Sequence, residues 1–223
     1  IRLNTVAQFA AQKRTVTKED YIFRTLSMPS QFGNIAKAFI TQDNQISLET
    51  SKRIANPNAL NLYVLGFNLN GQLETLPEAA KTNLATYIEQ FRMLTDAINI
   101  KDASILNFQV EFDITVRSGF NNEQTLLRCI NLLQNYFSID NQQINKPIII
   151  GDISGLLYNA EGVQNVTRVE LINITGVQTG GLYSQFKYNF QAATRRGIIY
   201  PPVDPSIFEL KYPNTDIIGR VTR

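Results

Sequence analysis

Two carboxylates, Glu111 and Asp113, have the spacing of a pair that could act in general acid–base chemistry. Residues two apart on a β-strand lie on the same side, so both carboxylates would face one surface. That side also carries Gln109, Thr115 and Arg117. Such a mixture is typical of a solvated sheet face, and we therefore interpret the two carboxylates as part of a wet surface.

The residues most often used in catalysis and metal binding are scarce in this chain. It has no histidine, which removes the commonest general base and the commonest transition-metal ligand. Its single cysteine, Cys129, can form no intrachain disulfide or thiolate cluster, and its place in a helical apolar stripe predicts a core residue. We expect a protein that is not an enzyme and binds no cofactor, metal or small-molecule substrate. An enzyme with an unmarked carboxylate or lysine site is one alternative.

The charge of the chain argues against a nucleic-acid or membrane partner. The formal net charge is +2 over 223 residues, too little for a phosphate-binding surface. No apolar run approaches the roughly 20 residues of a membrane span. The basic pairs Lys13–Arg14 and Arg195–Arg196 are too small for a nucleic-acid groove, so we interpret them as exposed or paired charges. A nucleic-acid-binding α+β domain is the other alternative.

The carboxylate pair lies on the strand that we expect to organise the fold. Residues 105–117 alternate between apolar and polar side chains, which is the pattern of a strand with one buried face. Residues 77–92 and a segment after Gly119 each carry an apolar stripe at the helical period and would cover that face. Further strands are predicted at residues 60–68, 97–101 and 163–174.

The order of these elements predicts an α+β fold of the split βαβ, or ferredoxin-like, type. It would have one antiparallel sheet, two helices on one face and an extended proline-rich C-terminal arm, with a strand near Ile35 at one edge. We expect an entry arm or linker at residues 1–16, an α+β core domain at 17–175, and a loop and extended C-terminal arm at 176–223.

The C-terminal arm combines prolines with many apolar side chains. Prolines exclude a segment from the centre of a sheet, so these side chains must be buried on the arm's own domain or on a neighbour. We favour a neighbour. Five residues are predicted to bind a partner: Ile199, Tyr200, Phe208, Tyr212 and Ile217.

Three segments resemble proteins of contractile-tailed phages. Residues 14–21, RTVTKEDY, resemble the RAVT-x-EDY opening of the baseplate J-like family, and residues 87–96, YIEQFRMLTD, resemble its helix followed by R-x-L-T-D. Residues 200–213, YPPVDPSIFELKYP, resemble the C-terminal part of the large wedge protein that forms the inner ring of myovirus baseplates. The resemblance covers residues 14–223, and that wedge protein is much longer.

The resemblance implies a structural virion subunit of the baseplate wedge. It implies that the chain associates with itself, as a homodimer or in a ring, and with other wedge subunits. It places the protein in the tail baseplate, assembled in the host cytoplasm. The family has no catalytic residues to carry over to this sequence.

Overall fold

The computed structural model describes residues 14–42, 59–178 and 181–222. Contacts between Cα atoms divide the chain into two compact units, Ile1–Ala103 and Ser104–Arg223. Each unit has its own main sheet and its own apolar core. The domain boundaries that composition suggests, after residues 16 and 175, stay a prediction.

Within residues 14–42 and 59–103, the first unit contains a four-stranded sheet and two α-helices. Its elements are α1 (Lys18–Leu26), β1 (Ile35–Gln42), β2 (Ala59–Phe67), β3 (Leu73–Glu74), α2 (Glu78–Glu89) and β4 (Ala97–Asp102). Strand β2 pairs antiparallel with β1 and β3 and parallel with β4. The predicted helices and strands of this region are therefore present, with ends that differ by a few residues.

Helix α1 begins at a capping box. The Thr17 hydroxyl accepts the N–H of Asp20 at 3.2 Å, and the Asp20 carboxylate accepts the N–H of Thr17 at 2.9 Å. These bonds satisfy donors that the first helical turn leaves without partners. They fix the start of a helix whose Tyr21 is buried in the core of the first unit.

The core of the first unit lies between the helices and the sheet. Tyr21 packs in one cluster with Leu62 and Val64 of β2 and with Leu84 and Ile88 of α2. The Tyr21 hydroxyl lies at the edge of this cluster and donates a 2.7 Å hydrogen bond to the Asp96 carboxylate. Burial of five such side chains is the main favourable term for this unit.

The second unit is built around the long strand that the sequence predicts. Its elements are β5 (Ser104–Val116), α3 (Asn122–Tyr136), β6 (Ile148–Ile149), α4 (Ile150–Tyr158), β7 (Val163–Asn173), β8 (Val177–Gln178), β9 (Gly181–Leu182), α5 (Phe190–Ala193), β10 (Thr194–Arg195), β11 (Ile198–Ile199), β12 (Ser206–Glu209) and β13 (Ile217–Val221). Strand β5 pairs antiparallel with β7 and parallel with β12 and β13. It is therefore the strand on which the main sheet of this unit depends.

The alternation along β5 is confirmed. Phe108, Val110, Phe112 and Ile114 are buried in the core of the second unit, together with residues of α3 and α4. The intervening polar residues from Gln109 to Thr115 are partly exposed. The period of two therefore separates a covered face from a wet one.

The α+β class is confirmed, but the single split βαβ sheet needs correction. Strand β4 pairs with β2 in the sheet of the first unit, whereas β5 belongs to the sheet of the second. Only Ala103 separates the two strands. No turn or linker pattern in the sequence indicates that consecutive strands here belong to different sheets. Side-chain alternation reports which face of a strand is buried and carries no information about its neighbours.

Two segments of the predicted C-terminal arm are strands that pair with β5. Strand β12 begins directly after Pro205 and pairs with Ser104–Asn107 of β5. Strand β13 follows Pro213 and pairs with Val110–Ile114. The prolines lie outside both strands, so they limit the length of each strand without excluding it from the sheet.

Candidate interaction surface

The five predicted contact residues fall into two groups. Ile199, Phe208 and Ile217 are 1%, 2% and 5% exposed and belong to the core of the second unit. Tyr200 is 45% exposed, and Tyr212 is partly buried. Ile199, Phe208 and Ile217 are therefore covered by their own unit. We retain the prediction of partner binding for Tyr200 and Tyr212 only.

An aromatic cluster explains why Phe208 is enclosed. Its ring lies 5.6 Å from the ring of Phe190 and 6.4 Å from that of Phe108, in edge-to-face geometry. The register of β12 against β5 places Phe208 opposite Leu106. Such pairs add specific attraction to the burial of large apolar surface, and this cluster binds the C-terminal segment to β5.

Tyr212 is held by polar contacts. Its N–H donates to the Asp216 carboxylate at 2.8 Å, and its hydroxyl accepts the N–H of Leu182 at 3.3 Å. The Tyr183 ring packs against it edge-to-face at 5.3 Å. Beside it lies an open cavity of about 380 Å³, whose lining includes Lys211 and Pro213. The Tyr212 ring is thus held in place by Tyr183 and also borders the cavity.

A larger groove, here called the Tyr200 groove, lies beside Tyr200. It has a volume of about 920 Å³ and is lined by Tyr188, Ala192, Ala193, Arg195, Arg196, Ile198, Tyr200, Pro201, Pro202 and Val203. The Tyr188 hydroxyl donates a 2.7 Å hydrogen bond to the Tyr200 carbonyl, and this bond connects two residues of the groove lining. Val203 is 93% exposed. The lining is therefore mostly apolar and open to solvent.

A tight hairpin carries two arginines to the edge of this groove. Strands β10 and β11 pair antiparallel, and the residues between them, Arg196 and Gly197, have φ values of 54° and 77°. Positive φ at both central positions is the pattern of a type I′ turn, where Asn and Gly are the usual residues. The side chains of Arg195 and Arg196 are exposed and form no hydrogen bond or ion pair with any residue of the described chain.

The carboxylate pair on β5 is part of a charged surface network. Arg168 on β7 bonds to Glu170 and lies 3.9 Å from Glu111, and the Gln109 amide donates to Glu111 at 3.0 Å. The Arg168 hydrogen bond lowers the pKa of Glu170. Glu111 therefore lies in a network of charged and polar side chains on the partly exposed face of the sheet, as the alternation along β5 predicts.

The contacts of Lys81 do not favour a role as a catalytic base or nucleophile. Its ammonium donates to Asp102 at 2.6 Å and to Glu78 at 2.8 Å, and these bonds raise its pKa. A lysine that acts as a base or nucleophile requires the opposite shift. Across residues 14–42, 59–178 and 181–222, no group of three or more His, Cys, Asp or Glu side chains can hold a metal ion.

Cys129 is fully buried in α3, as predicted, and burial raises the pKa of its thiol to about 11. A thiol in that state reacts slowly, because the thiolate is the nucleophile.

Among the helices described here, none combines the length and the apolar character that crossing a bilayer requires.

The position of Arg195 and Arg196 at the edge of a groove was not predicted from the sequence. The sequence alone predicts only a pair of exposed or paired charges at these positions. The signal that could have found them is the Arg-Gly dipeptide between Thr194 and Ile198, because Gly next to a β-branched run marks a hairpin turn. The groove itself depends on tertiary packing and has no sequence pattern.

No protein-family model matches this chain, and no curated protein matches it. Among solved structures, its fold is similar to a chain of the cryo-EM structure of the anti-feeding prophage (AFP) baseplate, 6-fold symmetrised. The TM-score is 0.52 at 11% identity, and the alignment covers 99% of this chain and 40% of that one. This chain therefore spans less than half the length of its structural neighbour, and the likeness concerns the fold.

Proposed function

We propose that the protein is a structural subunit of the baseplate of a contractile-tail particle. The observation that carries this proposal is the fold similarity to a chain of the anti-feeding prophage baseplate, which extends over 99% of the present chain. Folds are reused for unrelated functions, so a fold match alone is an analogy. The resemblance of residues 14–21 and 200–213 to phage baseplate proteins was found independently of the fold and supports the same function.

The finer proposal is a wedge subunit that associates with itself, as a homodimer or ring, and with other wedge proteins. It would reside in the virion tail after assembly in the host cytoplasm, and it would act without catalysis. The exposed parts of Tyr200 and Tyr212 are the proposed contact points. Both residues lie in the segment that resembles the inner-ring wedge protein.

Contact through these residues would work by burial of apolar area. Each buried Å² contributes about 25 cal/mol before the cost of association is subtracted, so a groove of this kind supplies only moderate affinity by itself. Repeated copies in a ring would act together, since each additional contact forms within an assembly that is already joined. Weak individual contacts therefore suit an assembly subunit.

Purified particles provide the test. The chain would carry a small epitope tag in the particle-producing cell, and intact tails would be isolated by density gradient and labelled with gold-conjugated antibody. We expect label at the baseplate end of the tail, and we expect deletion of the coding sequence to stop tail assembly. The proposal fails if the chain is absent from purified tails that assemble normally without it.

A further inference from the structure

We propose that the Tyr200 groove binds an extended segment of a neighbouring protein in which aliphatic side chains alternate with carboxylates. This inference rests on the proposed function, because it names the chemistry of the partner at the same surface. Two separate features of the groove support this inference. One is an apolar lining that is formed in advance, and the other is a pair of arginines at its edge that form no side-chain hydrogen bond or ion pair within residues 14–42, 59–178 and 181–222.

The apolar lining is shaped before any partner arrives. Pro201 and Pro202 have fixed φ angles and no free N–H, so they present a stiff surface without donors. The bond from Tyr188 to the Tyr200 carbonyl fixes the wall beside them. Binding to such a surface costs little ordering of the groove itself. Val203, at 93% exposure, offers the partner an aliphatic contact that the chain leaves uncovered.

The charged edge specifies carboxylates. The guanidinium groups of Arg195 and Arg196 lie on one hairpin, and no acidic side chain is among the groove-lining residues. A planar guanidinium fork matches a carboxylate with two parallel hydrogen bonds. Arg196 occupies a left-handed backbone position, with φ of 54°, that Asn or Gly would fill with less strain. Its side chain is exposed and forms no hydrogen bond or ion pair with any described residue, so the guanidinium is accessible to a partner.

A protein segment fits these observations better than a nucleic acid. Two arginines provide too few phosphate contacts for appreciable affinity at physiological salt, since each contact contributes through release of one counterion. The side chains of Pro201, Pro202 and Val203 contact aliphatic groups well and have no group that could hydrogen-bond to a base or a sugar. Self-association through the same groove would need a second copy to present carboxylates beside aliphatic side chains, and sedimentation of the Val203→Asp variant distinguishes that case.

The probe is a fluorescein-labelled peptide, DLELDLE, titrated with the full chain in 100 mM salt and followed by fluorescence anisotropy. Two matched peptides separate the contributions: NLQLNLQ replaces the carboxylates with amides, and DSESDSE replaces the leucines with serines. We expect DLELDLE to bind, and each matched peptide to bind about tenfold more weakly, because each lacks one of the two kinds of contact. Absence of DLELDLE binding at millimolar peptide, or equal binding of the amide peptide, would overturn the proposal.

Variants locate the site. The double variant Arg195→Glu, Arg196→Glu should weaken DLELDLE binding by at least about tenfold, and Val203→Asp should weaken it to a similar extent, through like-charge repulsion. The control, Lys18→Glu with Arg117→Glu, makes the same change in net charge at exposed residues distant in sequence from the hairpin and should bind as the wild type does. All five substitutions are at exposed positions, and circular dichroism checks that each variant is folded. Equal weakening by the control would reduce the effect to overall charge and end the proposal.

Two further measurements exclude the other occupants. Tighter binding of oligo-dT than of DLELDLE, lost in the double arginine variant, would assign the groove to nucleic acid instead. If sedimentation shows that the wild-type chain forms dimers and that the Val203→Asp variant does not, the occupant of the Tyr200 groove is a second copy of this chain. Incorporation of the chain into tails is scored separately, so an arginine variant that still enters tails normally contradicts this inference and leaves the proposed function standing.

Discussion

The hydroxyl of Tyr183 donates a 2.6 Å hydrogen bond to the carboxylate of Asp216, and both side chains are buried. Asp216 also accepts the N–H of Tyr212 at 2.8 Å, and its main-chain carbonyl accepts the N–H of Val110 at 2.8 Å. One residue therefore connects the C-terminal segment to the centre of β5 and to the residues after β9. A buried carboxylate is tolerated only with such partners.

Loss of this bond should destabilise the second unit. Tyr183→Phe removes the hydroxyl and leaves the carboxylate with its other donors, so we expect a loss of about 1–3 kcal/mol in the free energy of unfolding. Asp216→Ala should cost more, because it leaves the Tyr183 hydroxyl and the Tyr212 N–H without their acceptor. Urea unfolding followed by circular dichroism measures both. The double variant should cost less than the sum of the two, and strict additivity would show that the two side chains are not coupled.

Two glycines of the second unit form a matched pair for a test of packing. A Cβ on Gly219 of β13 would lie 2.6 Å from the Leu126 side chain and closer still to the Phe112 ring. Gly155 lies on an exposed position of α4, and a Cβ there would meet nothing within 4 Å. The same substitution should therefore have opposite effects at the two sites.

We expect Gly219→Ala to lower the free energy of unfolding by about 1–3 kcal/mol, because the core cannot accept another methyl group without strain. We expect Gly155→Ala to raise it by about 0.5–1 kcal/mol, since alanine is the better helix former. Thermal and urea unfolding of the two variants give the comparison. A neutral Gly219→Ala would mean that α3 packs less closely on β13 than the structure has it.

Cys129 should be protected from thiol reagents in the folded protein. Its side chain is fully buried, and burial raises the pKa of the thiol to about 11, so the thiolate is scarce at pH 8. We expect the reaction with a disulfide reagent such as DTNB to be at least about hundredfold slower in the native chain than in 6 M guanidinium, because the thiol must first be exposed by opening of the core. The Cys129→Ala variant gives the background. Equal rates in both conditions would place the thiol at the surface.

The sequence predicted the elements well where side-chain period is a strong signal. The alternation along β5 and the apolar stripe of α3 each follow from burial of one face, so local sequence was sufficient. The pairing of β4 with β2 and of β12 and β13 with β5 was not predicted, because neighbours in a sheet are chosen by packing of the whole chain.

Buried polar contacts show the same limit. Asn107 lies on β5 at a position where a wet face was expected, yet it is buried. Its amide donates to Glu209 at 2.8 Å and accepts the N–H of Ser184 at 2.7 Å, from partners 102 and 77 residues away. No local pattern reports partners so distant. Similarly, the apolar composition of the arm predicts five contact residues, and the fold distinguishes Tyr200 and Tyr212 from the other three, which are buried.

The capping box of α1 gives a prediction that depends on pH. Burial opposes ionisation of Asp20, but hydrogen bonds from the N–H groups of Thr17 and Val16 outweigh it and lower the pKa of this carboxyl below 3.8. A folded-state pKa below the unfolded value means that the contribution to stability is present above the unfolded pKa and is lost as the pH falls through the folded pKa. Asp20→Ala should therefore cost about 1 kcal/mol at pH 7 and progressively less as the pH falls below about 3.8.

Two control variants isolate the cap. Asp20→Asn keeps a side-chain oxygen that can accept the same N–H groups, so it should retain part of the stability and show little pH dependence over this range. Glu19→Gln removes a charge from the same helical turn without a capping bond and should change stability by only a few tenths of a kcal/mol. Urea unfolding at pH 7 and at pH 3 compares all three with the wild type. If Asp20→Ala costs the same at both pH values, the bonds to the ionised carboxylate do not stabilise this helix.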